Sequence, residues 1–244
     1  RQYQIIENLI QQQVDAILLA PSGSKELVPA IRKANDAGIP ILLLDTRIDE
    51  AAAASVGAET LTYIGSDNFE GGAVAGRYLA ATLEGSGSVA IIEGISGHET
   101  ADQRRLGFLS GIEDFPGIRL VASQTANWER ALAYNVAENL LQAHPEIDAI
   151  FAANDEMALG ALEAADAAQR LESVAIIGFD AIPDALRAVN EGKLCATVFQ
   201  DARAQGELAL ETAVQLVQGK TVPKTNYIPF RLVTKENLHE FYTH

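Results

Sequence analysis

The sequence has 244 residues, of which 48% are hydrophobic and 21% are charged, a composition typical of globular and not of disordered proteins. This length suffices for one large domain or for two lobes that each bury a core. The formal net charge is −15, and no cluster of Lys and Arg provides the basic surface that nucleic acid or an anionic membrane would bind. No apolar run reaches the roughly 18 residues of a membrane-spanning helix, so direct membrane insertion is not expected.

Short apolar runs alternate with amphipathic segments along the chain. The apolar runs predict buried parallel strands at 14–20, 39–44, 61–64, 88–92, 118–122, 149–153, 174–179 and 196–199. The amphipathic segments predict helices near 3–12, 25–37, 70–83, 103–112, 130–142, 156–167, 183–190 and 204–217. This alternation predicts an α/β fold with doubly wound parallel sheets.

Local signals refine three of these elements. In the first helix, Ile5, Ile6, Leu9 and Ile10 share one face, which predicts packing of that face on a sheet. Gly38 and Gly219 follow apolar helical patterns and predict left-handed caps at two helix ends. The apolar surroundings of Cys195, the single cysteine, predict a small core residue and not a nucleophile.

Polar residues follow several predicted strands, and in doubly wound sheets ligands bind at the carboxyl ends of strands. The candidates at four strand ends, and near two helix starts, are Asp45, Asn154, Asp180, Gln200, Arg104 and Trp128. Each has a structural alternative: a cap or turn for a carboxylate, and a core position for Trp128. Together they offer paired hydrogen bonds to vicinal hydroxyls and an aromatic face for the C–H side of a sugar ring.

Two neighbouring features have simpler structural interpretations. Asp67 and Asp155 stand at the starts of predicted helices, where N-capping is the favoured role. The Gly71–Gly72 pair is expected to allow a helix to pack closely on the sheet.

Motifs for catalysis are missing from the sequence. It contains no phosphate-binding Gly-x-x-x-x-Gly-Lys-Ser/Thr loop, no Gly-x-Gly-x-x-Gly and no Gly-x-Ser-x-Gly. The pair His98-Glu99 lacks the second histidine of a zinc helix, and no other histidine has an evident Ser or Cys partner. We therefore expect a binding protein, not an enzyme, with no cofactor and no metal.

Four segments resemble the periplasmic sugar-binding proteins of ABC importers, most closely the ribose-binding protein type. They are 64–68 (Ile-Gly-Ser-Asp-Asn), 153–161 (Ala-Asn-Asp-Glu-Met-Ala-Leu-Gly-Ala), 177–180 (Ile-Gly-Phe-Asp) and 192–197 (Gly-Lys-Leu-Cys-Ala-Thr). The resemblance implies a periplasmic protein that captures a monosaccharide, such as a ribose-like pentose, and delivers it to an ABC permease. It also implies two Rossmann-like lobes joined by a three-strand hinge that closes on the sugar.

The resemblance implies where the lobes and the site lie. One lobe is expected at 1–65 plus 202–229 and the other at 66–200 plus 231–240, with hinge crossings near 65–67, 200–202 and 229–231. Asp45, Arg104, Asn154, Asp180 and Gln200 would then bond sugar hydroxyls, and Trp128 would stack on the ring.

Two departures from the family pattern qualify this expectation. The family often has Arg directly after the position of Asp45, whereas here Thr46 follows and Arg47 comes one residue later. Thr46 and Arg47 are therefore counted with the site, and the preferred sugar is left open. The family also has a strand, helix and strand ahead of the helix that opens this sequence, and this unit is not in the sequence. We expect one of three explanations: a separate segment that stays bound, a swapped partner chain that supplies the unit, or a half-site without normal affinity.

Two other protein classes share these lobes. One is the effector-binding domain of LacI-type transcription regulators, and the other is the sugar-sensor domain of a membrane receptor. The 153–161 segment and the acidic charge favour the importer class over the regulators.

Overall fold

The computed structural model describes residues 1–241 and divides the chain into two compact units. The first unit comprises Arg1–Asp67, Gly97–Thr100 and Asp201–Pro229, and the second comprises Asn68–Ser96, Ala101–Gln200 and the chain from Phe230 onward. Residues 97–100, which the sequence-based division assigned to the second lobe, group with the first unit. The hinge role of the predicted crossings stays a prediction.

The helices and strands follow the predicted alternation. The strands are β1 (Ile17–Leu19), β2 (Ile41–Leu44), β3 (Thr62–Gly65), β4 (Ser86–Glu93), β5 (Gly117–Thr125), β6 (Ile147–Ala152), β7 (Ala175–Asp180), β8 (Ala196–Gln200), β9 (Thr225–Tyr227) and β10 (Phe230–Val233). The α-helices are α1 (Gln2–Gln11), α2 (Val28–Asp36), α3 (Glu50–Val56), α4 (Asn68–Thr82), α5 (Glu99–Ile112), α6 (Arg130–Ala143), α7 (Asp155–Ala167), α8 (Pro183–Asn190) and α9 (Ala202–Val217), and a short 3-10 helix spans Leu238–Glu240.

The first unit is built on a parallel sheet with strand order β1-β2-β3-β9. On one face Ile41 and Leu43 pack with residues of α1 and α2, including Ile6 and Ile31. On the other face Leu42 and Ile64 pack with Ala209 of α9 and with other residues. Alternate strand residues thus enter opposite cores, as a sheet covered on both faces requires.

The second unit has strand order β10-β8-β7-β6-β4-β5, parallel throughout except that β10 runs antiparallel to β8. Along β4, Val89 and Ile91 belong to one core cluster while Ala90 and Ile92 belong to the other. The α/β fold with parallel sheets is therefore confirmed. Among residues 1–241, no helix is both long and apolar enough to cross a bilayer.

Every predicted strand and helix is present, with shifts at the ends. Four elements were missed: α3, which follows the N-cap Asp49 and runs through alanines, the short strands β9 and β10, and the 3-10 helix. Gly38 and Gly219 have φ of 75° and confirm the predicted left-handed caps. In α1 the expectation for Ile5 was wrong, because its side chain is 48% exposed while Ile6 is buried.

Helices α4 and α5 cross with backbone-to-backbone contact. A Cβ atom on Gly72 would lie 2.2 Å from the backbone oxygen of Arg104, and one on Gly111 would lie 2.3 Å from that of Ala73. Gly71 instead faces the sheet, where a Cβ would meet the Phe179 ring at 2.7 Å. The prediction of close helix–sheet packing is confirmed for Gly71, whereas Gly72 serves the contact between the two helices.

This crossing predicts a large cost for one methyl group. We expect Gly111→Ala to lower the free energy of unfolding by about 1–3 kcal/mol, because backbone atoms must move to admit the side chain. In the matched control Gly206→Ala, on α9, the added Cβ would have no neighbour within 4 Å, so stability should stay constant or rise by up to about 1 kcal/mol. Urea denaturation measures both, and equal effects of the two changes would contradict the close crossing.

Candidate ligand-binding site

A buried guanidinium organises the carboxyl end of the sheet in the second unit. The Arg104 side chain on α5 is only 4% exposed. Its Nε donates to Oδ1 of Asn68 at 2.9 Å and its Nη1 donates to the backbone oxygen of Ala153 at 2.7 Å. The guanidinium carbon also lies 3.8 Å from the centroid of the Phe179 ring. The charge is therefore held by hydrogen bonds and a π face, which a buried arginine needs.

Asp180 and Gln200 meet beside this arginine, at the ends of β7 and β8. Oδ1 of Asp180 accepts a hydrogen bond from Nε2 of Gln200 at 2.7 Å and lies 3.4 Å from Nη1 of Arg104. The Asp180 side chain is 32% exposed, so the carboxylate stays accessible. Donor and acceptor groups predicted from the ends of separate strands are thus brought together.

Trp128 lies next to the same group. Its ring is 5.8 Å from the guanidinium carbon of Arg104, and it is half-buried against the core of the second unit. The ring occupies the space where a side chain on Gly94 would lie, since a Cβ there would fall 2.1 Å from the indole. A glycine at the end of β4 is therefore required for this position of the ring.

The predicted roles of Asn154 and Asp155 are partly reversed. Asn154 is the N-cap of α7, with Oδ1 accepting from the backbone N–H of Met157 at 2.9 Å, and its Nδ2 lies 3.5 Å from the backbone oxygen of Trp128. The capping prediction for Asp155 was wrong: it is the first helical residue, fully buried, and accepts hydrogen bonds from Thr197 and Ile182. Asn154 still borders Trp128, so its ligand role stays a prediction.

The candidates of the first unit follow β2. Asp45 has φ of 62°, the left-handed region that is uncommon for residues other than glycine, and its backbone oxygen accepts from the Tyr63 hydroxyl at 2.9 Å. Thr46 is buried, and its hydroxyl is 2.9 Å from that of Thr100. Arg47 stacks on the Tyr63 ring at 3.8 Å and donates to Oγ1 of Thr225 at 3.3 Å.

The Tyr63 hydroxyl links the backbone just after β2 to the backbone just after β3. Burial and the nearby Asp45 carboxylate raise the pKa of its hydroxyl, which keeps the group protonated and able to donate. Its single proton is shared between the backbone oxygens of Asp45 at 2.9 Å and Ser66 at 3.1 Å. Both loops are therefore tied to one neutral side chain.

Sequence reasoning missed three contributors to the site. Asn68 lies in the 64–68 segment that resembles the family but is not among the predicted site residues, although its Oδ1 accepts a hydrogen bond from Arg104. Phe179 precedes Asp180 in an apolar run and gave no signal beyond its hydrophobicity. Gly94 could have been found only by knowing which side chain crosses it.

The polar side chains of the candidate site are suited to forming hydrogen bonds with a ligand. Cys195 is partly buried and packs against a core cluster of the second unit, at the margin of the core role that was predicted. Burial raises the pKa of its thiol to about 12, which disfavours the nucleophilic thiolate. Within residues 1–241 no group of three or more His, Cys, Asp or Glu side chains is placed to hold a metal ion. What the arrangement offers is a carboxylate, a guanidinium and an amide beside an indole, which suits a ligand with several hydroxyl groups.

Comparison with known proteins places the chain in a family. The family model described as "Periplasmic binding protein domain" matches residues 1–221. The chain is 39% identical over 231 residues to the ribose import binding protein RbsB of Bacillus subtilis, covering 95% of this chain and 72% of that protein. The chain therefore belongs to the periplasmic binding protein family, and the predicted resemblance to the ribose-binding type is confirmed.

Solved structures agree with this assignment. An ABC transporter periplasmic solute binding protein from Actinobacillus succinogenes with bound D-allose superposes with a TM-score of 0.92 at 40% identity, covering 98% of this chain and 83% of that one. A Bacillus halodurans solute binding protein with bound myo-inositol gives a TM-score of 0.91 at 38% identity, covering 98% and 81%.

The buried carboxyl of Asp155 predicts a pH dependence of stability. Burial raises its pKa well above the ordinary value, and the charge of Asp180 raises it further. The folded state then keeps a proton that the unfolded state releases above about pH 4, so this group lowers stability as pH rises towards the folded pKa. We expect Asp155→Asn, which cannot titrate, to gain stability relative to the wild type by up to about 1.4 kcal/mol per pH unit in this window.

Urea denaturation of both proteins at about pH 5 and about pH 8 measures this difference. A difference between variant and wild type that is the same at both pH values would contradict the raised pKa.

Proposed function

We propose that this chain is the solute-binding protein of an ABC importer and that it binds a monosaccharide or a closely related polyol. The observation that carries the proposal is the convergence of Arg104, Asp180 and Gln200 beside Trp128 at the carboxyl end of one parallel sheet. The ligand would be captured and released without chemical change, and an ABC permease would take it over. The periplasm is the proposed location.

The named ligands of the relatives support the chemistry. Ribose, D-allose and myo-inositol are neutral, compact and carry several hydroxyl groups on a ring. A hydroxyl group both donates and accepts, so one hydroxyl can donate to the Asp180 carboxylate while accepting from Arg104 or Gln200. The apolar side of the same ring would lie on the Trp128 indole.

Residues of the first unit are proposed to contribute as well. Asp45 directly follows β2 and Asp180 is the last residue of β7. Both have positive φ, so each unit presents a carboxylate to the ligand from an unusual backbone conformation. Thr46 and Arg47 are proposed to act mainly by shaping this loop, because both side chains already have partners. The guanidinium that the family often has after Asp45 is thus replaced by a threonine that is buried.

Titration of a small sugar panel tests the proposal. We expect calorimetry to show saturable binding of at least one of D-ribose, D-allose and myo-inositol, with a change in the emission of Trp128, the single tryptophan. Arg104→Ala and Asp180→Ala should each weaken binding by about tenfold or more, because the partners left behind are buried or partly buried and an unpaired buried polar group costs about 1–3 kcal/mol.

Arg119→Ala is the matched control for the loss of one positive charge. The Arg119 side chain on β5 is 68% exposed, so its removal should leave the affinity unchanged. Normal affinity in both site variants, or no binding of any sugar of the panel, would contradict the proposal.

We also propose that the outer edge of β1 pairs with another polypeptide segment. β1 ends the strand order of its sheet, and an open strand edge favours pairing with another chain. On α9, which packs against this sheet, Leu210, Val214 and Val217 form an exposed apolar stripe at i, i+4 and i+7. A strand-helix-strand unit of the family pattern would cover both the strand edge and the stripe.

This surface predicts self-association of the isolated 244-residue chain. Sedimentation velocity should show association that grows with protein concentration, and the double change Leu210→Lys and Val214→Lys should reduce it, because charge on the stripe opposes its burial. Gln substitution at exposed Glu207 and Glu211, on the same helix, raises the net charge by the same two units and is the matched control. A monomer at every concentration would contradict the pairing.

A further inference from the structure

The turn between β7 and α8 is conformationally unfavourable. Asp180 has φ of 111° and Ala181 has φ of 54°, so two consecutive residues other than glycine lie in the left-handed half of the backbone map. Such residues persist only where their surroundings hold them in place. The carboxylate that meets Arg104 and Gln200 therefore stands on a backbone that needs support.

Two buried side chains supply that support. Oδ2 of Asp155 accepts the backbone N–H of Ile182 at 2.9 Å, and Oγ1 of Thr197 accepts the backbone N–H of Ala181 at 3.2 Å. The Thr197 hydroxyl in turn donates to Oδ1 of Asp155 at 2.7 Å. Both side chains are fully buried, so solvent does not compete for these bonds.

The sequence below the turn is shaped to admit the carboxyl group. A Cβ atom on Gly178 would lie 2.1 Å from Oδ1 of Asp155, so a side chain at this position of β7 would displace it. Asn154, the residue before Asp155, already caps α7. The Asp155 side chain is thus not needed as the cap of its own helix and is committed to a turn some 27 residues away.

We infer that Asp155, with Thr197, is a positioning residue that holds the Asp180–Ala181 turn in the conformation that directs the Asp180 carboxylate at the ligand. The inference rests on the proposed function, because it assigns the reason for the network to sugar binding. The raised pKa of Asp155 is compatible with this role, since either the ionised or the protonated carboxyl can accept from Ile182 and bond Thr197.

Paired variants separate positioning from plain stability. Asp155→Ala and Thr197→Val remove the bonds to the turn, and we expect each to weaken binding of the panel sugar that the wild type binds (D-ribose, D-allose or myo-inositol) by about tenfold. Asp155→Asn and Thr197→Ser keep an acceptor for the same N–H groups and should stay within about threefold of the wild type. Leu140→Ala, in the core of the same unit, controls for lost stability.

A backbone rescue gives the sharpest readout. Ala181→Gly removes the steric cost of the left-handed conformation, so it should restore at least about threefold of the affinity lost in Asp155→Ala. If Asp155 only stabilised the fold, Ala181→Gly would not restore sugar affinity in Asp155→Ala. The inference is overturned if Asp155→Ala has the same sugar affinity as the Leu140→Ala control when the two variants have equal melting temperatures. If Asp155→Ala does not fold, the affinities of Thr197→Val and Thr197→Ser are compared in the same way.

A measurement without ligand separates this inference from the proposed function. Amide hydrogen exchange followed by NMR should show faster exchange at Ala181 and Ile182 in Asp155→Ala and Thr197→Val than in Leu140→Ala. Faster exchange supports control of the turn even if none of the three sugars binds, in which case the proposed function alone fails. Unchanged exchange at both amides overturns the positioning role.

Discussion

The burial of the Arg104 guanidinium is the constraint on which the second unit depends. A cation that is almost wholly removed from water is tolerated only where its donors find acceptors and its charge finds an anion. Asn68 at the start of α4, the backbone oxygen of Ala153 after β6 and Asp180 at the end of β7 meet this demand together. The ends of three elements must therefore meet around one side chain. The same contacts thus determine both the arrangement of the sheet and the geometry of the site.

Glycines set the distances in this arrangement, while the polar residues set its chemistry. Gly72 lets α5 approach α4 so closely that a Cβ atom added at this glycine would clash with the backbone of Arg104. This approach brings the arginine to Asn68. Gly94 leaves the space that the Trp128 ring occupies, and Gly178 leaves the space for the Asp155 carboxyl. A methyl group at any of these positions would act on the site without changing one functional group, which is why packing and recognition cannot be assigned to separate residues here.

The sequence predicted the fold where a pattern is local and failed where a partner is distant. Buried runs of β-branched and aliphatic residues identified every strand of the two sheets except β9 and β10, which are short and carry polar residues such as Thr225 and Asn226. The alanine run of α3 has no apolar periodicity, so the periodicity criterion missed this helix although alanine favours helices and Asp49 is an N-cap. Asn154 and Asp155 are adjacent polar residues at one helix start, and which of them caps depends on Thr197 and Ile182, far along the chain. Local spacing carries no information about that choice.

If the proposed function holds, the site would discriminate between ligands by charge as well as by geometry. An anionic ligand would be attracted by Arg104 but would meet the carboxylate of Asp180 and a chain of net charge −15, whereas a cation would meet the guanidinium. A neutral hydroxyl satisfies both groups, since it donates to one and accepts from the other. An epimer that turns this hydroxyl away loses two hydrogen bonds at once and leaves a buried donor without its partner, a cost of about 1–3 kcal/mol for each unpaired group. Under the proposed function, selection among polyols that differ at one stereocentre would thus follow from placing a carboxylate and a guanidinium side by side in a partly buried position.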